Sequence, residues 1–341
     1  MKHFLFVLVL VAQNLLAGQP LYVVGEDYVL FSESNQSTVL ERGILPRSMA
    51  LDPDRCRLWI TTDSDSQLKV FEKGIEVSSS EYKGRIVSEF NHQRFVTVSS
   101  TGDVQFRDSQ GEVLFQFQIE NSESLVKLAI LSNDESWGLL QQPNRSEKSK
   151  NDLWITRISR DGKITKKLPL DPAEEFWGKV QFFVDEFRKR IWIGYARASA
   201  HHAYAPKVEK LNLEGGYEGT FQWDERGFFF DGCIDPVGDF ILARDLPSSP
   251  YTVPDYSFIE KIKGQGKLGE LPQRVLELET SRLVDSMSCQ AKSIFFATHS
   301  IFGSEPKKLL VWSGNTNQAP EDYLNLPGIA KKVFICNEPT H

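Results

Sequence analysis

The chain repeats one phrase in changing words, and that repetition limits its fold more than any single residue does. One copy reads Met49-Ala-Leu-Asp-Pro-Asp-Arg-Cys-Arg-Leu-Trp-Ile-Thr61, and another reads Val180-Gln-Phe-Phe-Val-Asp-Glu-Phe-Arg-Lys-Arg-Ile-Trp-Ile-Gly194. In each, an apolar strand runs into a polar turn opened by Asp52 or Asp185. A second strand then places Trp59 or Trp192 seven residues later. Six copies fall at 48–62, 86–99, 126–141, 179–195, 231–244 and 286–298, with second strands centred on Trp59, Phe95, Trp137, Trp192, Ile241 and Phe295. Self-similarity at a few tens of residues is the mark of a repeat architecture, in which each unit buries its apolar faces against its neighbours.

A second hairpin closes most copies. Leu68–Phe71 turns through Glu72-Lys-Gly74 into Ile75–Val77, Val104–Phe106 through Asp108-Ser-Gln-Gly111 into Val113-Leu114, and Leu153–Ile155 through Arg160-Asp-Gly162 into Lys163-Ile164. Gly215-Gly216 and Gly264-Gln-Gly266 do the same later, glycine supplying the positive φ of tight turns. Four strands per copy, repeated radially, make a propeller blade. Lys332–Cys336 reads as a first strand with nothing after it, while Leu21–Val24, Tyr28–Phe31 and Thr38–Leu40 read as three strands with nothing before them. Joined, they form a blade that closes the ring and removes its exposed edges. The expected fold is therefore all-β, a seven-bladed β-propeller. A six-bladed ring with an extra N-terminal hairpin is the alternative.

The Asp52-Pro-x-x-x-x-Leu-Trp-Ile-Thr61 phrase resembles the repeats of NHL and YVTN-type propellers, and more loosely those of gluconolactonase-like propellers. The likeness spans most of the mature chain. It implies a fold rather than an activity, since this architecture hosts unrelated functions. It also implies that ligands bind at one end of the central channel, where second strands pass to third strands and where the chain enters each blade.

Charge and the chain start bound the partners. Of the 341 residues, 39 are Lys or Arg and 46 Asp or Glu, a formal charge of −7 that argues against nucleic acid. Lys2 and His3 precede the apolar run Phe4–Val11, and Leu15-Leu16-Ala17-Gly18 follows. That run is too short to span a bilayer and fits a cleaved signal peptide over 1–18, leaving one propeller domain over 19–341. The expectation is an exported protein, periplasmic or secreted, without an integral membrane anchor. Cys56, Cys233, Cys289 and Cys336 allow three full pairings in such a compartment. First strands of neighbouring blades are expected to stand further apart than the roughly 7 Å between Cα atoms that a bridge tolerates. Buried free thiols therefore weigh at least as much as bridges.

Candidate site residues fall into two groups. Four consecutive loops between second and third strands are long, at 141–151, 197–207, 244–256 and 299–307, and they carry His201, His202, Tyr204, Tyr251 and His299. Loops leading into blades add Trp177, Trp223 and Arg226, giving an aromatic, asymmetric rim. The residues that open the first strands are Arg47, Arg85, Lys127, Lys179, Asp231, Asp285 and Lys332. As a mostly cationic ring they would attract an anionic ligand, and the carboxylates of Asp231 and Asp285 would share a proton or a cation.

Catalytic signatures are missing from the sequence: it has no nucleophile elbow, phosphate-cradling glycine loop, His-Glu-x-x-His helix or Cys-x-x-Cys pair. The Glu, Asn and Asp metal set of gluconolactonase-like propellers finds no match beyond Asp231 and Asp285, because Asn91, Asn133 and Asn337 fall in turns at the opposite strand ends. The reading is a monomeric binding module for a protein, peptide or glycan, with no cofactor. A metal-dependent hydrolase or lyase centred on Asp231 and Asp285 is the alternative.

Overall fold

The computed structural model describes residues 19–34, 36–63, 66–119, 125–143, 151–170, 175–199, 202–203, 206–223, 227–247, 254–265, 272–278, 282–290, 293–300, 306–314 and 318–337. Residues 1–18, and with them the expected signal peptide, lie outside this set.

Every described element is a strand, and the strands fall into seven antiparallel blades of four strands, blade 5 carrying a fifth, two-residue strand at its edge. The first three strands are β1 (Leu21–Gly25), β2 (Tyr28–Glu33) and β3 (Gln36–Arg42). Blade 2 follows as β4 (Pro46–Asp52), β5 (Arg57–Thr62), β6 (Gln67–Glu72) and β7 (Ile75–Glu81), and blade 3 as β8 (Gly84–Ile86), β9 (Arg94–Ser99), β10 (Asp103–Asp108) and β11 (Val113–Gln118). Blade 4 holds β12 (Leu125–Ile130), β13 (Ser136–Pro143), β14 (Asn151–Ile158) and β15 (Ile164–Pro169). Blade 5 holds β16 (Glu175–Asp185), β17 (Arg190–Ser199), the short β18 (His202–Ala203), β19 (Lys207–Asn212) and β20 (Tyr217–Gln222). Blade 6 is β21 (Phe228–Ile234), β22 (Phe240–Pro247), β23 (Pro254–Ile262) and β24 (Gln273–Glu277). Blade 7 is β25 (Arg282–Gln290), β26 (Ser293–Ser300), β27 (Lys307–Trp312) and β28 (Glu321–Leu326). The last strand, β29 (Ala330–Ile335), pairs with β1 and completes blade 1 as its innermost strand. The ring is thus seven-bladed, closed by both termini as the repeats imply.

The core lies between blades rather than within them. Among the described residues the buried apolar side chains form seven clusters, one at each junction between neighbouring blades, including the junction of blade 7 with blade 1. This explains the repeated aromatic of the second strand: Trp59, Trp137 and Trp192 are wholly buried and point at the following blade. Trp59 meets Phe95 of blade 3 at 4.7 Å between ring centroids, and Trp192 meets Phe240 of blade 6 at 5.5 Å. Trp137 donates its indole N–H to Leu213 O of blade 5 at 3.2 Å, so the buried polar edge is satisfied as well. Outermost strands bury little: every residue of β7 is exposed.

An innermost strand has one edge without a ladder partner, and those N–H groups need acceptors. The preceding blade supplies them. Ile86 N donates to Ser48 Oγ at 2.6 Å, Leu128 N to Val87 O at 2.7 Å, Val284 N to Ser257 Oγ at 3.2 Å, Met287 N to Asp231 Oδ2 at 3.0 Å, and Val333 N to Ser286 Oγ at 3.1 Å. A parallel bridge between Gly178 and Phe229 ties blade 5 to blade 6 directly.

This stitching also corrects the expectation for the cysteines, all four of which are bridged: Cys56 with Cys336, and Cys233 with Cys289. Met287 already touches Asp231, so positions two residues further along both strands stay close. The Cα atoms of Cys233 and Cys289 are 5.6 Å apart, and those of Cys56 and Cys336 are 5.0 Å apart. The innermost strands of blades 6 and 7 stay close at this end instead of standing apart, and the end of β29 meets the β4–β5 turn, which carries Cys56.

Candidate binding site at the loop end of the ring

One end of the ring carries the turns that join each innermost strand to its neighbour; the other, the loop end, is where innermost strands begin and second strands pass to third strands. At the loop end the innermost strands are irregular. Register breaks fall at Pro46/Ser48, Leu125/Lys127, Trp177/Gln181, Phe229/Asp231 and Val284/Ser286, and on β1 at Val24/Gly25 opposite β29. A bulge inserts an unpaired residue and re-aims its neighbours, and bulges gather where side chains must be directed at a site. Arg47 and Asp285 are themselves the inserted residues, and Lys127 and Asp231 each follow one.

Arg47 and Arg85 meet in one place. With Lys83 they line a cavity of about 370 Å³ between blades 2 and 3, together with the hydroxyl-bearing Thr62, Ser66, Tyr82, Ser99, Ser100 and Thr101. One carboxylate, Asp63, shares that lining and sits 3.5 Å from Arg47 Nε. Arg85 is anchored from below by donating to Leu125 O at 2.9 Å. Gly84 is required beside it: a Cβ there would fall 2.5 Å from Val98 O and 2.7 Å from the Tyr82 ring. Lys127, in blade 4, lies over the Phe183 ring at 5.3 Å.

The acidic side of the ring is organised differently. Asp231 is buried and accepts from Gly232 N at 3.0 Å, Ser286 Oγ at 2.9 Å, Met287 N at 3.0 Å and Lys332 Nζ at 3.1 Å. It thereby joins blades 6, 7 and 1. Burial works against the Lys332 ammonium, but Asp231 and Glu89 outweigh it and the net shift of its pKa is upward. Asp285 is held by His299, whose Nδ1 lies 2.6 Å from Asp285 Oδ1. The two aspartates thus have different partners. Among the described residues no three His, Cys, Asp or Glu side chains converge at metal-holding spacing.

Below Asp285 lies a buried polar layer that the sequence does not announce. Arg244 and Glu260 form a bidentate pair, at 2.8 and 2.9 Å, between the rings of Trp223 and Phe258. Next to it Asp245 is fully buried and hydrogen-bonded to Ser257 Oγ. Burial pushes its pKa well above the usual carboxylate range, the nearby Asp285 adding to the shift while Ser257 and Arg244 oppose it. Arg244 and Asp245 are strand residues of β22 and His299 belongs to β26, so the loops expected at 244–256 and 299–307 begin later than the sequence suggests. Trp223 is likewise buried, at the junction of blades 5 and 6.

The remaining candidates stay unplaced. His201, Tyr204, Arg226 and Tyr251 lie outside the described residues, and Trp177, Lys179 and His202 are described in backbone only, as parts of β16 and β18. Lys83, Tyr82 and the hydroxyl set were not singled out in the sequence. Their signal was a Tyr-Lys-Gly-Arg run (82–85) and a Ser-Ser-Thr-Gly turn (99–102) in consecutive strand connections.

No protein-family model matches the sequence, and no curated protein does. Solved structures do match. Dihydro-heme d1 dehydrogenase NirN, in complex with DHE, aligns with a TM-score of 0.54 at 12% identity, over 91% of this chain and 64% of that one. The Dos1 propeller aligns with a TM-score of 0.53 at 10% identity, over 93% of this chain and 86% of that one. Such identities speak to fold alone, and they agree with the propeller architecture. Among the described residues no helix is long and apolar enough to cross a membrane.

Proposed function

We propose that this propeller is an exported binding module whose loop end captures an anionic glycan. The observation that carries the reading is the cavity between blades 2 and 3, where Arg47, Lys83 and Arg85 gather, with Asp63 beside Arg47 and Glu81 beside Lys83, in a protein that is acidic overall. Cations supply attraction for a carboxylate or sulfate, and the surrounding hydroxyls suit the donor and acceptor pattern of sugar rings. The signal-like start and two disulfides support an oxidising destination.

The test is isothermal titration of uronate-containing and sulfated oligosaccharides, with their neutral parents as controls. The expected result is binding of the anionic sugars alone, weakened roughly tenfold or more by Arg47→Ala or Lys83→Ala, as befits a lost charged hydrogen bond. Equal affinity of the neutral sugars, or no effect of either variant, would sink the reading. The Arg47 side chain is 47% exposed and that of Lys83 65%, and neither belongs to a buried junction cluster, so folding is spared.

A further inference from the structure

The turn end of the ring, opposite the proposed glycan site, has a corner between blades 5 and 6 that is built as rigidly as a core yet left uncovered. The turn joining β16 to β17 is held on both sides. Glu186 accepts from Ser132 N at 3.0 and 3.1 Å and pairs with His92 Nε2 at 2.8 Å, which fixes one flank to blades 3 and 4. Arg188 fixes the other flank through Asp185 Oδ2 at 3.0 Å and through Pro236 O of blade 6. Between these two anchors Phe187 is 90% exposed. On the blade 6 turn that Arg188 reaches, Val237 is 69% exposed, and Asp235 Oδ1 closes that turn by accepting from Val237 N at 3.0 Å and Asp239 N at 2.9 Å. Val237 also lines a cavity of about 710 Å³ with Arg188, Arg190, Lys261, Lys263 and Asp239, in which Lys261 pairs with Asp239 at 2.7 Å and with Asp235 at 3.3 Å.

We infer that this corner is a docking surface for an acidic peptide segment that carries an aromatic or aliphatic residue. A pre-ordered exposed aromatic beside a pocket is the form binding anchors take, because little conformational freedom is left to lose on association. Asp185 holds Arg188, and Asp235 and Asp239 hold Lys261, which leaves Arg190 and Lys263 without an ion pair among the described residues; in a chain whose formal charge is −7, these two cations select an acidic partner and steer it in. Phe187 and Val237 supply the apolar contact, and the cavity takes the acidic side chains that flank it.

A random peptide phage library panned on the purified full-length protein tests this. The recovered peptides are expected to combine Asp or Glu with one aromatic or aliphatic residue. A synthetic copy of the strongest, followed by fluorescence anisotropy, should lose at least roughly tenfold in affinity to Phe187→Ser and to Lys263→Glu, weaken with added salt, and be indifferent to Arg47→Ala. Both substituted side chains are exposed, and unchanged thermal melts confirm the fold; if one variant melts early, the other decides. No enrichment, enriched peptides without acidic residues, equal binding to both variants, or loss through Arg47→Ala alone would overturn the inference. So would a corner that prefers a sulfated glycan or an anionic vesicle to every peptide.

Discussion

Asp245 sits in an interior that offers its negative charge little, and its raised pKa has a definite sign in folding. In the unfolded chain the carboxyl ionises in the usual range; in the folded ring it keeps its proton to higher pH. Between those two values the folded state binds the extra proton, so stability falls as pH rises. Asp245→Asn mimics the protonated form and should remove that part of the decline. Urea unfolding from acid to neutral pH is expected to show the variant gaining on the parent as pH rises, and a constant difference would refute the assignment. Asp231 is an acceptor shared by three blades, and its loss leaves Lys332, Ser286 and the amide of Met287 without it. Asp231→Ala should cost about 3–5 kcal/mol in the same assay. Arg47, Asp231 and Asp285 were visible in the sequence as openers of strands, but nothing there separates a residue that faces solvent from one that joins three blades. That difference is made by neighbouring blades, far away in the chain.

At the scale of the strand the legible features are those decided locally. Paired apolar strands about a polar turn, with an aspartate seven residues before Trp59 and Trp192 in two of the copies, locate the first two strands of the blades, and the glycines of the outer turns locate the rest; Gly74 and Gly162 do take positive φ, 78° and 82°. Bulges were not legible, because an inserted residue is recognised only against its partner strand. Neither was the brevity of β8, three residues long, where the sequence suggests a full strand from 86 onward. The second-strand aromatics are wholly buried at their junctions, and Trp192→Ala should destabilise the ring by about 3–5 kcal/mol in denaturant titration. Ile75→Ser on the exposed outer strand should stay within about 0.5 kcal/mol of the parent.

The whole ring is held by junctions of similar kind, so closure depends on the one junction whose halves are most distant in sequence. The two disulfides test this at different lengths. Cys56 and Cys336 are 280 residues apart, and Cys233 and Cys289 are 56 apart. Loop-closure entropy alone gives the longer bridge about 1.4 kcal/mol more stabilisation. Single-bridge variants, Cys56→Ser with Cys336→Ser against Cys233→Ser with Cys289→Ser, should therefore differ in melting temperature in that order. The ring count was readable from the ends of the chain, because three strands at one terminus and one at the other add up to a blade. The bridges were not, because only the packed ring shows how near the innermost strands come.

The closing blade also sets a clock. β1 is buried along its whole length once β29 lies beside it, yet about 300 residues are translated between the two. At ribosomal speed the interval from Gly25 to Ala330 is roughly 15–60 s. Through that time a five-residue apolar strand waits with a bare edge, a template for the wrong neighbour. The newborn chain must be shielded there until β29 arrives.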